Sequence, residues 1–311
     1  MKSLSVIVPC YNEEANVQLH WERVNAAIAP FRAKYDFEHI YTDNYSTDAT
    51  FAKLAELAQS NPNVKVLRFA RNVGASRAMY QGLILAKGDA AILIQADLQD
   101  PPELIPEFIK SWEDGYDVVY GKIKNRDEGF ILKNVRKIYY WLIACLADVR
   151  TPQNVGEFRI TSKRVLDAVK SYTEDDIYLR GVIAHIGFRQ KAIPYERRRR
   201  HGGRSSNHLP FLIGYALNGI VSTSVVPLRA VILTGIVTVL TGAVLILYNV
   251  VYNLLFPSAI PRGISTVIVL ITFFAGVQIF SLGIIAEYLR KIYGQTLRRP
   301  QAFIMDKVNL E

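Results

Sequence analysis

The segment Gln95-Ala96-Asp97-Leu98-Gln99-Asp100-Pro101-Pro102-Glu103 sets carboxylates and amides close together, behind the apolar run Ile92-Leu93-Ile94 and ahead of two prolines. Asp97, Gln99 and Asp100 are hard oxygen donors of the kind that suit Mg²⁺ or Mn²⁺ carrying phosphates. An apolar run that ends abruptly in such groups reads as a buried strand delivering them to its C-terminal edge, where open α/β sheets bind ligands. The same residues would also serve as an acidic turn capping the helix that starts near Pro102. The motif alone does not decide between the two, because a motif needs its structural context.

The elements that would supply that context follow in order. Apolar, β-branched strand patterns occur at Leu4–Pro9, Phe37–Thr42, Val64–Phe69, Ala90–Ile94, Asp117–Gly121, Phe158–Thr161 and Gln190–Tyr195. Helical spacing falls between them, at Leu19–Phe31, Ala49–Gln59, Ala75–Ala86, Leu104–Glu113, Ile131–Leu146, Lys163–Ser171 and Ile177–Ile186, with Asn12 as a candidate N-cap for the first. This alternation predicts an α/β fold with a mainly parallel, doubly wound sheet. The polar segments Val8-Pro9-Cys10-Tyr11-Asn12-Glu13, Asp43–Asp48, Asn72-Val73-Gly74 and Asp97–Glu103 then all fall at strand C-termini. An edge lined with acids, amides and helix N-termini fits a nucleotide diphosphate with a divalent metal. With no P-loop lysine motif and no Gly-x-Gly-x-x-Gly after the first strand, nucleoside triphosphate hydrolysis and dinucleotide redox chemistry are disfavoured.

Composition changes in the last third. The net charge is +9, from 37 basic and 28 acidic residues, and its densest run is Arg197–Arg200 with Arg204. Ala230–Phe256 and Ile264–Ala286 carry no charge, and each is long enough to cross about 30 Å of hydrocarbon. Leu209–Val226 has one apolar stripe and reads as an amphipathic helix lying in the interface. Basic residues on both sides of the two spans place the 197–204 run and the tail in the cytoplasm. The basic cluster is juxtamembrane and not interleaved with aromatics, so nucleic acid is not the expected partner. It reads either as a lipid-facing patch or as a phosphate site at Arg200, beside Gly202, Gly203 and Ser205. Cys10 and Cys145 suggest neither disulfide nor zinc site, Met1–Val8 runs into a strand rather than a leader, and His185, on an apolar helix, is expected in the core.

Taken together, Pro-x-Tyr-Asn-Glu (9–13), Asp43-x-x-Ser46-Thr47-Asp48, Asn72-x-Gly74, Ala96-Asp97-Leu98-Gln99-Asp100-Pro101-Pro102-Glu103, Gly156-Glu157-Phe158-Arg159 and Arg200-x-x-Gly203-x-Ser205 before two membrane helices resemble the GT-A-fold family 2 glycosyltransferases. Within them the chain is similar to the polyisoprenyl-phosphate glycosyltransferases, such as the dolichol-phosphate mannose synthases and the bactoprenol glucosyltransferases. The resemblance covers the whole chain. It implies that Pro9, Tyr11 and Glu13 line the nucleoside pocket, Asp43 contacts the base, and Asp97 and Gln99 hold Mg²⁺ or Mn²⁺ on the donor diphosphate. It implies that Glu157 lies near the acceptor and that Arg200, Arg204 and Ser205 belong to the acceptor-phosphate segment. Two positions depart from the family. Asn44 and Gln95 stand where it commonly has carboxylates, Gln95 being at the donor-facing end of the metal motif.

The implied reaction is inverting transfer of a hexose, glucose for choice, from a nucleotide-sugar such as UDP-glucose to a polyisoprenyl phosphate. The implied plan is a catalytic domain over 1–195, a juxtamembrane region over 196–228, a two-helix hairpin over 229–289 and a basic cytoplasmic tail over 290–311. A flippase and a downstream glycosyltransferase would act on the product, and a homo-oligomer is left open. A processive polysaccharide synthase is disfavoured by the lack of a Gln-x-x-Arg-Trp motif. A non-catalytic adaptor is the alternative that Asn44 and Gln95 motivate.

Overall fold

The computed structural model describes residues 1–124, 154–174, 177–198, 221, 224–255 and 264–310. The expected helix at 131–146, most of the expected interfacial helix, Arg200, Arg204 and Ser205 lie outside the described residues.

The first half of the chain alternates as its periodicity predicts. Strand β1 (Lys2–Cys10) leads to helix α1 (Val17–Ile28), β2 (Tyr35–Asp43), α2 (Thr50–Ser60), β3 (Val64–Phe69), α3 (Ala75–Leu85) and β4 (Ala90–Leu93). Then come α4 (Ile105–Glu113), β5 (Val118–Ile123), β6 (Val155–Ser162), α5 (Lys163–Lys170), α6 (Leu179–Ile186) and β7 (Gln190–Tyr195). Two long helices, α7 (Val226–Leu255) and α8 (Ile264–Leu297), precede a last strand, β8 (Ile304–Val308).

The eight strands form one sheet in the order β7-β5-β6-β4-β1-β2-β3-β8. Strands β3, β2, β1 and β4 are mutually parallel, while β6 runs antiparallel to both β4 and β5 and β8 antiparallel to β3. Side chains alternate across a strand, so β1 feeds two cores. Leu4, Val6, Val8 and Cys10 pack with α1, α2 and α4, whereas Ile7 packs with α3, α5 and α6 on the other face. Right-handed crossovers explain that split. The chain moves outward from β1 to β3 over one face, then returns to β4 over the other. The order therefore reverses between β1 and β4, and the crevice at their C-terminal ends is the topological switch point where such sheets bind ligands. Close approach of α3 to the sheet requires Gly82, since a Cβ there would collide with Ile7 Cγ2.

Pro9 is compatible with a central strand because β4 pairs with β1 only from Leu4 to Ile7, and Pro194 lies on the edge strand β7. Helices α7 and α8 contain segments, Val226–Leu245 and Leu270–Leu297, long and apolar enough to cross a bilayer. Many of their large apolar side chains, among them Ile232, Leu240, Ile271 and Phe280, are exposed, as a lipid-facing surface requires. The tail is more ordered than its charge suggests: α8 continues to Leu297 and β8 extends the sheet.

Two local expectations are corrected. Asn12 does not cap α1, which starts five residues later; it takes a left-handed conformation (φ 54°) and bridges two loops instead. His185 is exposed in the last turn of α6, edge-on to Tyr172, and the core histidines are His20 and His39.

Candidate active site

The loops after β1 and β2 are stitched together. Asn12 N–H donates to Ser46 Oγ at 2.9 Å, and Asn12 Oδ1 accepts from Thr47 N–H at 2.9 Å. Glu13 N–H donates to Thr50 Oγ1 at 2.8 Å, and the buried Glu13 carboxylate accepts from Asn16 Nδ2 at 2.6 Å. These bonds hold Pro9, Tyr11 and Glu13 beside Asp43, with the Tyr11 side chain partly open to solvent.

Asp43, at the end of β2, is fully buried. Its Oδ1 accepts from Ser46 N–H at 3.2 Å, while Oδ2 faces Arg68 Nε at 3.3 Å as an ion pair without a hydrogen bond. Burial raises its pKa, and Ser46 and Arg68 only partly oppose this.

Asn44 explains one departure. Its Nδ2 donates to Asn72 Oδ1 at 3.0 Å and its Oδ1 accepts from Val73 N–H at 2.8 Å. Asn72 Oδ1 also receives Gly74 N–H at 2.9 Å, which fixes that oxygen as an acceptor. The amide at position 44 thus both donates and accepts, where an ionised carboxylate could only accept. Gly74, at φ 88°, then turns the chain into α3.

Beyond β4, Asp97 is buried and its Oδ1 accepts from Gln99 N–H at 3.1 Å. Leu98 between them is left-handed (φ 58°), a strained turn. The start of the basic run folds onto this motif. Arg198 N–H donates to Gln99 O at 3.0 Å, Gln99 Nε2 lies 3.4 Å from Arg198 O, and Arg198 reaches Glu103 at 3.3 Å. Arg197 spans Gln95 Oε1 and Asp100 Oδ1, each at 3.4 Å, and Asp100 also accepts from the Tyr195 hydroxyl. Burial pushes the Asp100 pKa up, with Arg197 and Tyr195 opposing and Asp97 and Glu157 adding to the rise, so these three carboxylates share one neighbourhood.

Antiparallel β6 carries Glu157 past the last β4 pair, Leu93 with Arg159, to the ligand edge. Glu157 is buried and held from two sides, by Arg159 Nη2 at 2.8 Å and by Arg180 Nε of α6 at 2.5 Å. Burial would raise its pKa, but Arg180 and Arg159 outweigh burial and hold it below the usual carboxylate range. The two guanidinium groups line a cavity with Val118, Tyr120, Val155 and Ile183. Sequence reasoning missed Arg68, Arg180 and the bridging role of Arg197; none of them belongs to a spaced motif of its own.

Among the described residues no three His, Cys, Asp or Glu side chains converge on one point. Asp97 with neighbouring amide oxygens still fits a hard cation of the Mg²⁺ class, which is commonly held by one or two carboxylates, with substrate phosphate and water completing the shell.

Comparison with known proteins agrees with the motifs. Residues 5–169 match the family model described as glycosyl transferase family 2. A bactoprenol glucosyl transferase of Shigella phage SfV is 33% identical over 313 residues, covering 98% of this chain and 98% of the relative. An uncharacterized glycosyltransferase, YkcC of Bacillus subtilis, is 33% identical over 99% of this chain and 94% of its own. Among solved structures, S. aureus TarS with UDP-GlcNAc aligns at a TM-score of 0.47 and 19% identity, over 71% of this chain and 66% of that one. The mannosyltransferase PcManGT from Pyrobaculum calidifontis with GDP-Man and Mn²⁺ aligns at 0.44 and 21%, over 61% and 54%. The model match spans over half the chain and the relatives nearly all of it, so the chain belongs to glycosyl transferase family 2 and is a glycosyltransferase with the GT-A fold.

Proposed function

We propose that the protein transfers glucose from UDP-glucose to a polyisoprenyl phosphate, with inversion, at the cytoplasmic membrane surface. One observation carries the reading: the first residues of the juxtamembrane basic run, Arg197 and Arg198, lie directly against the Gln95–Glu103 motif. The segment that leads to the membrane and the edge that would hold a sugar diphosphate are thus one structure. Near full-length relatives named bactoprenol glucosyl transferase support the sugar and the acceptor.

The roles follow from the chemistry. The Asp43 carboxylate takes an N–H of the base, with Pro9, Tyr11 and Glu13 around the nucleoside. Asp97, with Gln99 and Gln95 beside it, would hold Mg²⁺ or Mn²⁺, which neutralises the leaving diphosphate when bound. A lipid phosphate has a second pKa near ~6 and is already mostly dianionic at neutral pH, so it attacks without a base. Glu157, whose two oxygens are engaged by Arg159 and Arg180, keeps those cations in place rather than removing a proton. Arg200, Arg204 and Ser205 bind the acceptor phosphate. Asn44 is then compatible with catalysis, because its amide braces the turn after β3, donating to Asn72 Oδ1 and accepting from Val73 N–H.

The two-span topology draws support from β8. The chain leaves the catalytic domain, runs through α7 and α8, and returns to pair with β3, which fits an even number of crossings. The basic residues on that side support a cytoplasmic placement. A sugar attached to a lipid on that face needs a flippase and a second glycosyltransferase to be used beyond it.

The test is transfer of labelled sugar by the purified protein to a short polyprenyl phosphate, with UDP-glucose, UDP-GlcNAc and GDP-mannose in parallel, with and without Mn²⁺. Glucosyl lipid from UDP-glucose, lost in Asp97→Ala, is expected. A purified protein that forms no sugar lipid from any of these donors would refute the reading.

A further inference from the structure

The segment that follows the membrane hairpin is built into the donor side of the catalytic domain. Strand β8 pairs with β3 through Val66–Val308, Leu67–Lys307, Arg68–Asp306 and Phe69–Ile304. Ala70 N–H donates to Phe303 O at 2.8 Å, and Asn309 Nδ2 donates to Ala58 O and Val64 O, each at 2.8 Å. Ala302 and Leu310 pack on Leu67, Phe69, Val73 and Ala78. Val73 is the residue whose N–H Asn44 holds, so this apolar seat lies directly under the turn after β3.

Arg68 connects the strand to the pocket. Its guanidinium lies 4.5 Å above the Phe51 ring. From there Nε faces Asp43 Oδ2 at 3.3 Å, Nη2 is 3.4 Å from Ser46 O, and Nη1 faces Asp306 Oδ2 at 3.8 Å. Asp43 and Asp306 pull on the same cation from opposite sides. Without Asp306, Arg68 is free to close onto Asp43 Oδ2, a buried oxygen that makes no hydrogen bond, and so to reset the carboxylate.

We propose that β8 is a positioning element for the donor-nucleoside pocket: through Asp306, Arg68 and the seat beneath Val73, a segment beyond the membrane hairpin sets the affinity and base selectivity of nucleotide binding. This rests on the reading of Asp43 as the base contact. Arg68 and Asp306 act through Asp43 and are positioning residues.

The experiment uses the full-length protein in detergent and measures UDP, GDP and ADP binding by calorimetry for wild type, Asp306→Asn and a chain ending at Arg299. The Asp306 pair is partly exposed, so its loss should weaken UDP binding by about 2–5-fold. Truncation, which removes strand and seat together, should weaken it by about tenfold or more, equivalent to ~1.4 kcal/mol. In both variants the preference for UDP over GDP should narrow, and KM for the donor should rise while kcat at saturation stays near wild type. A merely structural strand would lower the melting temperature without changing base preference. Wild-type UDP affinity and base preference in Asp306→Asn would overturn the proposal, and this variant decides alone if the truncated chain does not melt cooperatively. A wild-type protein that binds none of the three nucleotides would instead overturn the reading of Asp43 on which the proposal rests.

Discussion

Acidification from pH 7 to pH 5 should destabilise the catalytic domain through two histidines that take no part in the chemistry. His20 on α1 and His39 on β2 are both fully buried, and none of their four ring nitrogens has a protein hydrogen-bond partner. Burial, with His39 nearby, lowers the His20 pKa from 6.5 to about 3. Burial and Arg32 lower that of His39 to about 4. The unfolded chain therefore binds protons between pH 6.5 and 4 that the folded chain refuses, so stability falls with pH in that window and is fully present only above 6.5. Each histidine costs up to ~2 kcal/mol between pH 7 and 5, ~4 kcal/mol together as an upper bound. At roughly 2–4 °C per kcal/mol, the melting temperature should drop by about 8–16 °C. Asp43 and Asp100, with raised pKa values, act with the opposite sign, so the wild-type slope alone does not isolate the pair. The measurement is therefore a difference: thermal melts at pH 7, 6 and 5 for wild type, His20→Leu and His39→Val. Each variant should lose one histidine's share of the fall, up to ~2 kcal/mol between pH 7 and 5. Parallel pH profiles in all three proteins would refute the assignment of a buried, neutral pair.

Three further perturbations test the site. Asn44→Asp sets a carboxylate oxygen against Asn72 Oδ1, which Gly74 N–H holds as an acceptor; calorimetry should show about 1–3 kcal/mol of lost stability and melts should show weaker stabilisation by UDP. Glu157→Gln leaves Arg159 and Arg180 without their shared counter-charge and should cost about 3 kcal/mol in stability, while the pH profile of transfer keeps its shape. Loss of a limb in that profile would instead mark Glu157 as a base. Arg197→Gln removes a cation from beside the Asp97–Asp100 motif, so Mn²⁺ binding measured by electron paramagnetic resonance should tighten roughly threefold while kcat/KM falls.

The strands and helices around the donor edge were legible because each carries its own period and ends in its own turn residues. Strand direction is not encoded in that period, so β6 and β8 could not be read as antiparallel. Strand β8 was missed altogether: Ile304-Met305-Asp306-Lys307-Val308 is short, lies at the sheet edge and follows a basic stretch, and its order comes from β3, more than 230 residues earlier. The polar strand ends that the fold gathers at one edge were readable as a set. What fixes those ends was not, because Asn44 with Asn72, Glu157 with Arg180 and Gln95 with Arg197 are pairs formed only by the fold.

The two amides that replace family carboxylates have different physical accounts. At position 44 the amide uses both its groups, donating to Asn72 Oδ1 and accepting from Val73 N–H. At position 95 the structure shows a charge balance instead. Arg197 lies between Gln95 and Asp100, and Asp100 already supplies it with one buried carboxylate. A second carboxylate at 95 would neutralise Arg197 more fully and hold it more firmly. With glutamine there, the guanidinium keeps more of its charge at the edge where a diphosphate would leave. Arg197 would then add its charge to that of a cation held at Asp97, which predicts that Gln95→Asp raises the demand for Mn²⁺ in nucleotide binding rather than simply improving it. UDP titrations of this variant with Mn²⁺ and with chelator decide the matter: an equal gain in both conditions would show that Gln95 and Arg197 are not electrically linked.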